Sequence, residues 1–205
     1  MSSVVATVDD FVRFVDLRKG EVVSAPPHPN PKYRLLSDDL SSPLLSDLRL
    51  PDSYLDVASR CDLLGCEIGY VSLFPRGVIH QDSLRVALVE ANNDSTTPYA
   101  GLCRAMDAAM VGAFEADSIF VRRPFGEVVL SQSLGPLPVI SPLGPSFASV
   151  MFMACNLYLA FEIFDETEVE SGAHLAKEFL RFACQVNRLG PEELSTWLEF
   201  LDYLQ

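Results

Sequence analysis

Histidine, aspartate and serine occur close together at one place in this sequence, and they are the residue types of nucleophilic hydrolases. His80 is followed closely by Asp82 and Ser83. A nucleophile, its general base and the group that orients the base must converge in a defined geometry, which residues this near in one tight loop cannot adopt. We interpret these residues as polar loop residues. His28, between prolines, and His174, near a helix start, have no such neighbours.

Potential metal and phosphate ligands also lack the required spacing. Cys61 and Cys66 have no second ligand pair for zinc. In the acidic run at 165–168, glycine and a terminal glutamate are out of register for a calcium loop. The glycines at 135–145 stand beside prolines with no lysine following, whereas a phosphate loop needs free backbone N–H groups and a cation. The sequence therefore predicts a non-enzymatic protein without metal or cofactor.

Composition indicates a folded, strongly acidic protein. The chain has 205 residues, of which 49% are hydrophobic, and a net charge of −13 from 28 acidic and 15 basic residues. This charge repels a polyanion, so binding to nucleic acid is predicted to be weak. The adjacent pair Arg122 and Arg123 is the candidate nucleic-acid contact, although such a pair is also typical of a solvated strand end.

Cysteine usage and the N-terminus predict where the protein resides. The five cysteines are an odd number without a Cys-x-x-Cys motif, which is typical of reduced core thiols in a cytosolic or nuclear protein. The N-terminal residues are acidic where a signal peptide is basic, so secretion is not expected. The apolar run at 147–164 is interrupted by polar residues and is too short for a clean membrane span, so none is predicted.

The first 164 residues show mainly strand patterns. Residues 11–15 and 21–23 are predicted to form a hairpin, which the proline-rich loop at 25–31 ends. Alternating apolar residues predict strands at 66–74 and 84–90. A polar turn containing Asn92 follows the second of these strands.

A helix and further strands follow that turn. Apolar residues at helical spacing predict one helix over 98–117. Strands are predicted at 119–121 and 127–131. For the run at 147–164 a buried strand is favoured over a helix.

These elements together predict a fold class. We expect a mainly β domain, β-sandwich or jelly-roll-like, over residues 1–164 with one internal helix. An acidic helical hairpin over 165–205 follows, so the chain is α+β overall. Residues 161–205 contain ten acidic and three basic residues.

The C-terminal hairpin holds the candidate partner-binding residues. The first helix is marked by five residues: Leu175, Phe179, Phe182, Ala183 and Val186. A Gly-Pro pair separates it from the second helix, whose core face is Leu194, Trp197, Leu198 and Leu201. Phe200, Tyr203 and Leu204 fall outside that face. With Trp197, these three are the predicted surface for a protein partner or for self-association.

The middle of the chain resembles a known family. The order IGYVSLF, SLRVALVEA, an Ala-rich helix, SIFV and a late apolar segment is similar to the core of the thirty-kilodalton superfamily of plant-virus cell-to-cell movement proteins. Glu90 stands where that family has an aspartate. The resemblance implies a single jelly-roll-like domain, with Glu90 acting structurally at a strand end.

Three functions follow from these observations as hypotheses. The first is a viral protein that supports movement through plasmodesmata by contacts with host or viral proteins and secondarily with RNA, located in the host cytoplasm and at plasmodesmata. The second is an accessory protein that inhibits a host factor through its acidic helical surface. The third is a capsid-like subunit, since jelly rolls are common in capsids; homo-oligomers are compatible with all three.

Overall fold

A computed structural model describes residues 3–18, 35–61, 63–74, 83–93, 98–132, 139–165 and 169–203. The predicted proline-rich loop at 25–31 and the strand at 21–23 lie outside these residues. The elements in chain order are α1 (Val8–Leu17), α2 (Ser37–Leu40), α3 (Pro43–Ser46), α4 (Asp52–Arg60), β1 (Glu67–Ile68), β2 (Val71–Ser72), α5 (Leu84–Asn93), α6 (Pro98–Met106), β3 (Ala108–Phe114), β4 (Asp117–Arg122), β5 (Val128–Gln132), β6 (Val139–Gly144), α7 (Phe147–Asp165), α8 (Val169–Val186) and α9 (Pro191–Tyr203).

The strands of the described residues form one open antiparallel sheet. Its order, β1-β2-β3-β4-β5-β6, follows the chain, so each strand pairs with its sequence neighbour. Helices make up most of the rest. The predicted mainly β sandwich or jelly roll is therefore wrong, and the fold is α+β. The error comes from segments that were predicted as strands but form helices.

Helix α7 is the largest of these corrections. The run at 147–164 forms a helix that is buried on nearly every side, from Phe147 to Ala160. A helix that is apolar all round belongs in the centre of a protein, and here α1, α4, α8, α9 and the sheet pack around it. By length and composition α7 is the one described helix that qualifies for a membrane crossing, and 67% of its apolar window is buried within the fold.

The polar residue in the middle of α7 is fully satisfied. Asn156 accepts a hydrogen bond from the Val5 backbone N–H at 2.9 Å and donates one to the Val5 carbonyl at 2.8 Å. Asn187, the residue that follows α8, also donates to the Val5 carbonyl, at 3.1 Å. The N-terminal segment is thereby held against α7 and the C-terminal end of α8, and the buried Asn156 amide finds the partners that a buried polar group needs.

Two shorter segments predicted as strands are also helices. Residues 11–15 lie in α1, whose N-terminus is capped by the Thr7 hydroxyl accepting from the Asp10 N–H at 3.1 Å. Residues 84–90 lie in α5, where four residues at helical spacing are buried: Leu84, Ala87, Leu88 and Ala91. Asn92 was predicted to lie in a turn but is inside α5 and buried.

The predicted helix over 98–117 is correct only in its first half. α6 ends at Met106, Asp107 takes a left-handed conformation with φ of 47°, and strand β3 begins. A Cβ at Gly112 of β3 would lie 2.6 Å from the Ser72 carbonyl oxygen, so the close approach of β2 requires glycine there. Asn92 joins the layers, since its Oδ1 accepts from the Met110 N–H at 2.8 Å.

Two strand predictions and the C-terminal hairpin are confirmed, whereas the strand predicted at 66–74 is wrong in part. β4 and β5 occupy the predicted strands at 119–121 and 127–131, and α8 and α9 form the predicted hairpin. The single strand predicted at 66–74 is a tight hairpin of β1 and β2, which turns at Gly69 with φ of 57°. The boundary predicted between residues 164 and 165 stays a prediction; it lies at the last residue of α7, and α7 and α8 pack together in one hydrophobic core.

Helix α8 buries a different face from the one its apolar residues mark. The side packed inside carries Ala176, Leu180, Ala183 and Cys184. Asn187, on the same side, contacts the Met153 sulfur of α7 at 3.9 Å. Of the residues that marked the helix, Leu175, Phe182 and Val186 are exposed, and Phe179 is half-buried.

Candidate functional site

Of the predicted partner-binding residues of α9, Trp197 and Phe200 are buried and Tyr203 is exposed. Trp197 is 1% exposed, and its indole N–H donates to the Leu143 carbonyl at 2.8 Å. Phe200, predicted to lie off the core face, is 6% exposed, whereas Tyr203 is 73% exposed. Leu204 lies outside the described residues. Trp197 and Phe200 are thus core residues, and Tyr203 is the one of the three that offers surface.

An aromatic column connects α9 to the sheet. The Phe200 ring stacks on the Phe114 ring of β3, with centroids 3.9 Å apart and planes inclined by 15°. Trp197 meets Phe200 edge-on at 5.5 Å. Both arrangements suit the charge distribution of aromatic rings. The column fixes α9 against the end of β3 where the chain turns into β4.

A groove opens above this column. Its cavity has a volume of about 450 Å³. The described residues that line it are Phe114, Glu115, Ala116, Asp117, Gln132, Glu199, Phe200 and Tyr203. The two phenylalanines form an apolar floor, and three carboxylates lie around it. No lysine or arginine is among these described lining residues, so the groove has an apolar floor and an uncompensated acidic rim.

Local backbone geometry places the three carboxylates. Glu115 occupies a two-residue turn between β3 and β4 with φ of 50°, and its N–H donates to the Tyr70 carbonyl at 3.0 Å. Asp117 starts β4 opposite Phe114. Glu199 comes from α9, where the Ser195 hydroxyl donates to its carboxylate at 3.4 Å. Two elements distant in sequence therefore supply one rim.

The candidate nucleic-acid contacts are engaged with carboxylates. Arg122 lies 3.7 Å from Glu127, and Arg123 lies 3.5 Å from Asp107. Asp107 also pairs with Arg49 at 2.8 Å. Arg123 keeps only 12% of its side chain exposed. Each arginine of the pair thus has a carboxylate partner within the protein, and their contact with nucleic acid stays a prediction.

The position of Glu90 differs from the prediction. It lies in helix α5 and is half-buried, so it does not end a strand. Its structural role stays a prediction, now within a helix.

No group of three or more His, Cys, Asp or Glu side chains suited to a metal ion occurs among the described residues. All five cysteines are reduced thiols and buried, as predicted. Burial raises the pKa values of Cys103, Cys155 and Cys184, which keeps these thiols protonated and weakly nucleophilic. His174 is exposed on α8, and His28 and His80 lie outside the described residues.

The groove contains residues that the sequence did not single out. Glu115 and Asp117 were assigned to the end of a long helix, and Gln132 to no site. Their relation to α9 arises only from the pairing of β3 with β4. The local sequence provided no strong signal, because Glu115 and Ala116 are not among the residue pairs that two-residue hairpin turns favour.

Comparison with known proteins found no matching family model, curated protein or solved structure. The resemblance to the movement-protein superfamily therefore stays a prediction. Of the segments that carried it, SIFV lies in strand β4, whereas SLRVALVEA forms α5 and the late apolar segment forms α7.

Proposed function

We propose that this chain is a non-enzymatic binding protein that holds a segment of a partner protein in the groove between the β3–β4 turn and α9. The segment carries one apolar side chain flanked by lysine or arginine. The observation that carries this proposal is the apolar floor of Phe114 and Phe200 beneath three carboxylates. A cationic segment with an apolar anchor complements both features at once.

The apolar floor and the acidic rim contribute to binding in different ways. Burial of an apolar anchor against Tyr203 and the accessible edges of the Phe114 and Phe200 rings supplies most of the affinity, since a few central contacts usually dominate an interface. Glu115, Asp117 and Glu199 favour a cation beside that anchor and disfavour an acidic competitor. The net charge of −13 additionally accelerates the encounter with a basic partner.

This proposal develops the hypothesis of an accessory protein that acts on a host factor through an acidic helical surface. Inhibition follows if the bound segment is one that the host factor needs for its own contacts. Movement between cells stays a separate prediction, and it rests on the family resemblance alone. The capsid hypothesis depended on a jelly roll, which this fold lacks.

The single tryptophan provides a direct binding assay. Trp197 is in edge contact with Phe200, so occupation of the groove should alter its fluorescence. The probes are short peptides with a central Leu, Phe or Trp flanked by Lys and Arg, and matched peptides with Glu and Asp instead. We expect saturable binding of the basic set that weakens as salt rises, and no binding of the acidic set.

Charge reversal at the rim tests whether the peptides bind in the groove. Glu115→Lys combined with Glu199→Lys should abolish binding of the basic peptides, and Tyr203→Ala should weaken it. Asp47→Lys is the control, because Asp47 is an exposed carboxylate remote from the groove. It is close in sequence to Arg49, which pairs with Asp107 just before β3, whereas the groove lies at the other end of that strand. Equal binding by wild type and the double-reversal variant contradicts the proposal, as does equal loss in the control.

A further inference from the structure

The turn between β4 and β5 presents an exposed phenylalanine. We define the Phe125 turn as residues 123–126, which follow Arg122 at the end of β4. The Phe125 side chain is 82% exposed. The Gly126 N–H donates to the Arg122 carbonyl at 3.0 Å, and the Arg122 N–H donates to the Glu127 carbonyl at 2.8 Å. A large apolar side chain on a turn held in this way can be buried by a partner at little cost in backbone freedom.

Neighbouring elements brace the Phe125 turn from behind. Gly126 has φ of 83°, and a Cβ there would lie 2.8 Å from the hydroxyl oxygen of Ser53 in α4, so the turn lies directly against that helix. The Arg123 N–H donates to the Asp107 carbonyl at 2.9 Å, which ties the turn to the residue before β3. These contacts hold the turn through its backbone and leave the phenylalanine ring in solvent.

The ion pairs beside this turn have a net positive charge. Arg49 and Arg123 share the Asp107 carboxylate, at 2.8 and 3.5 Å. Arg122 lies 3.7 Å from Glu127, too far for a hydrogen bond. Three cations and two carboxylates leave these five side chains with one positive charge, in a protein whose net charge is −13. The side chains of Arg49 and Arg122 are 68% and 42% exposed, so both can contact a partner.

We infer that the partner bound in the groove is a second copy of this chain, which inserts its Phe125 turn. The inference rests on the proposed function, because it assigns an occupant to the same groove. That groove suits an apolar side chain with a cation beside it, and the Phe125 turn offers both. Its volume of about 450 Å³ is ample for one phenyl ring. The ring would lie against Tyr203 and the floor, and Arg122 would approach the three carboxylates of the rim.

The geometry of β4 requires that the contact join two copies. The strand begins at Asp117, which lines the groove, and ends at Arg122, before the Phe125 turn. These ends are five residue steps apart, roughly 17 Å along the strand. The turn therefore lies too far from the groove of its own chain. Each copy offers one turn and one groove, so the contact is head-to-tail and repeats until a ring closes or a linear chain forms.

Sedimentation velocity of the full chain over a range of concentrations tests the inference. We expect wild type to associate reversibly. Phe125→Glu should weaken association by roughly a hundredfold, because the anchor is lost and a further carboxylate approaches an acidic rim. Leu17→Glu is the matched control, since Leu17 is 74% exposed on α1, a helix that contributes to neither surface. Circular dichroism verifies that both variants keep the wild-type helix content.

A mixture of two variants distinguishes head-to-tail contact from symmetric pairing. The variant with Glu115→Lys and Glu199→Lys should also lose association, but it keeps its Phe125 turn, whereas Phe125→Glu keeps its groove. We expect an equimolar mixture of the two to form 1:1 dimers that grow no further, because only one complementary pair of surfaces remains. An interface in which one surface pairs with itself would not be restored by mixing.

Three results overturn the inference. They are a wild type that stays monomeric, a Phe125→Glu variant that associates as strongly as wild type, and a mixture that stays monomeric. The peptide assay separates these failures from failure of the proposed function, because Phe125→Glu should bind the basic peptides as wild type does. If the basic peptides bind while the copies stay apart, the groove binds a different partner. If the peptides also fail to bind, the proposed function is wrong as well.

Discussion

The two helices of the C-terminal hairpin both carry large aromatic residues but bury them differently. In α9, Trp197 and Phe200 are 1% and 6% exposed. In α8, Phe182 is 56% exposed, while Ala176 and Ala183 are fully buried. A ranking by hydrophobicity alone would place the phenylalanines of both helices inside.

The difference reflects the surface that each helix meets. α8 packs along α7, and small residues on its inner side let two helices approach closely. α9 packs against β6 and the end of β3, where the Trp197 and Phe200 rings fill the space between helix and sheet. A buried position is thus taken by the side chain whose size fits the gap.

The same substitution in both helices provides the largest test of this comparison. Phe200→Ala should lower the free energy of unfolding by about 3–5 kcal/mol, since it removes a buried ring that stacks on Phe114. Phe182→Ala should change it by no more than about 0.5 kcal/mol. Chemical denaturation of dilute protein, followed by circular dichroism, measures both. Similar losses in the two variants would show that Phe182 packs into the core as Phe200 does.

Enlarging a small buried residue of α8 should give the next largest loss of stability. Ala183→Leu should destabilise the protein by about 1–3 kcal/mol, because the added methyl groups would push α8 away from α7. Gln185→Leu makes the corresponding change on the exposed side and should remain within about 0.5 kcal/mol of wild type. Both variants are compared by thermal unfolding at equal concentration. An Ala183→Leu variant as stable as wild type would contradict close packing of α7 and α8.

The smallest expected change in the free energy of unfolding comes from the buried Cys184 thiol of α8, and it is absent at neutral pH. Burial and, second, the nearby Glu193 carboxylate of α9 raise the pKa of Cys184 to about 12. In the unfolded chain this thiol ionises near its ordinary value of 9.0. Its contribution to stability is therefore complete below that value and is lost progressively as pH rises through the folded-state pKa.

Denaturation at a series of alkaline pH values measures this loss. Cys184→Ala should reduce the fall in the free energy of unfolding with pH. Glu193→Gln should reduce that fall less, because burial is the larger cause of the raised Cys184 pKa. Cys103, Cys155 and Tyr54, whose pKa values are also raised by burial, contribute to the remaining decline in both variants. A stability that rises with pH in this range would contradict the assigned direction.

Several features of the fold were predictable, and particular residues explain where prediction failed. The helical hairpin was predicted correctly because Gly190 and Pro191 separate two periodic segments. In contrast, Leu84–Asn93 fits both an alternating and a helical pattern, since Leu84 and Leu88 satisfy either period. The run at 147–164 has no polar face, so periodicity cannot identify its structure, and its length is the better guide.

The candidate site was predictable only in part. Tyr203 was identified from its position outside the α9 core face, and its exposure is as expected. Glu115 and Asp117 were placed in a helix, because Met106, Met110 and Phe114 repeat at helical spacing. That pattern cannot reveal the left-handed turn at Asp107 or the strand pairing that brings the end of β3 to α9.

The sequence by itself determined that this chain is acidic, folds around one large apolar core with reduced cysteines, and ends in two helices. Those properties depend on composition and on signals within a few residues. Only the tertiary structure decided that the central apolar segment is a helix, that Phe200 is inside and Phe182 outside, and that three carboxylates surround one groove. Those properties depend on the gaps between elements distant in sequence, and local patterns do not encode the width of a gap.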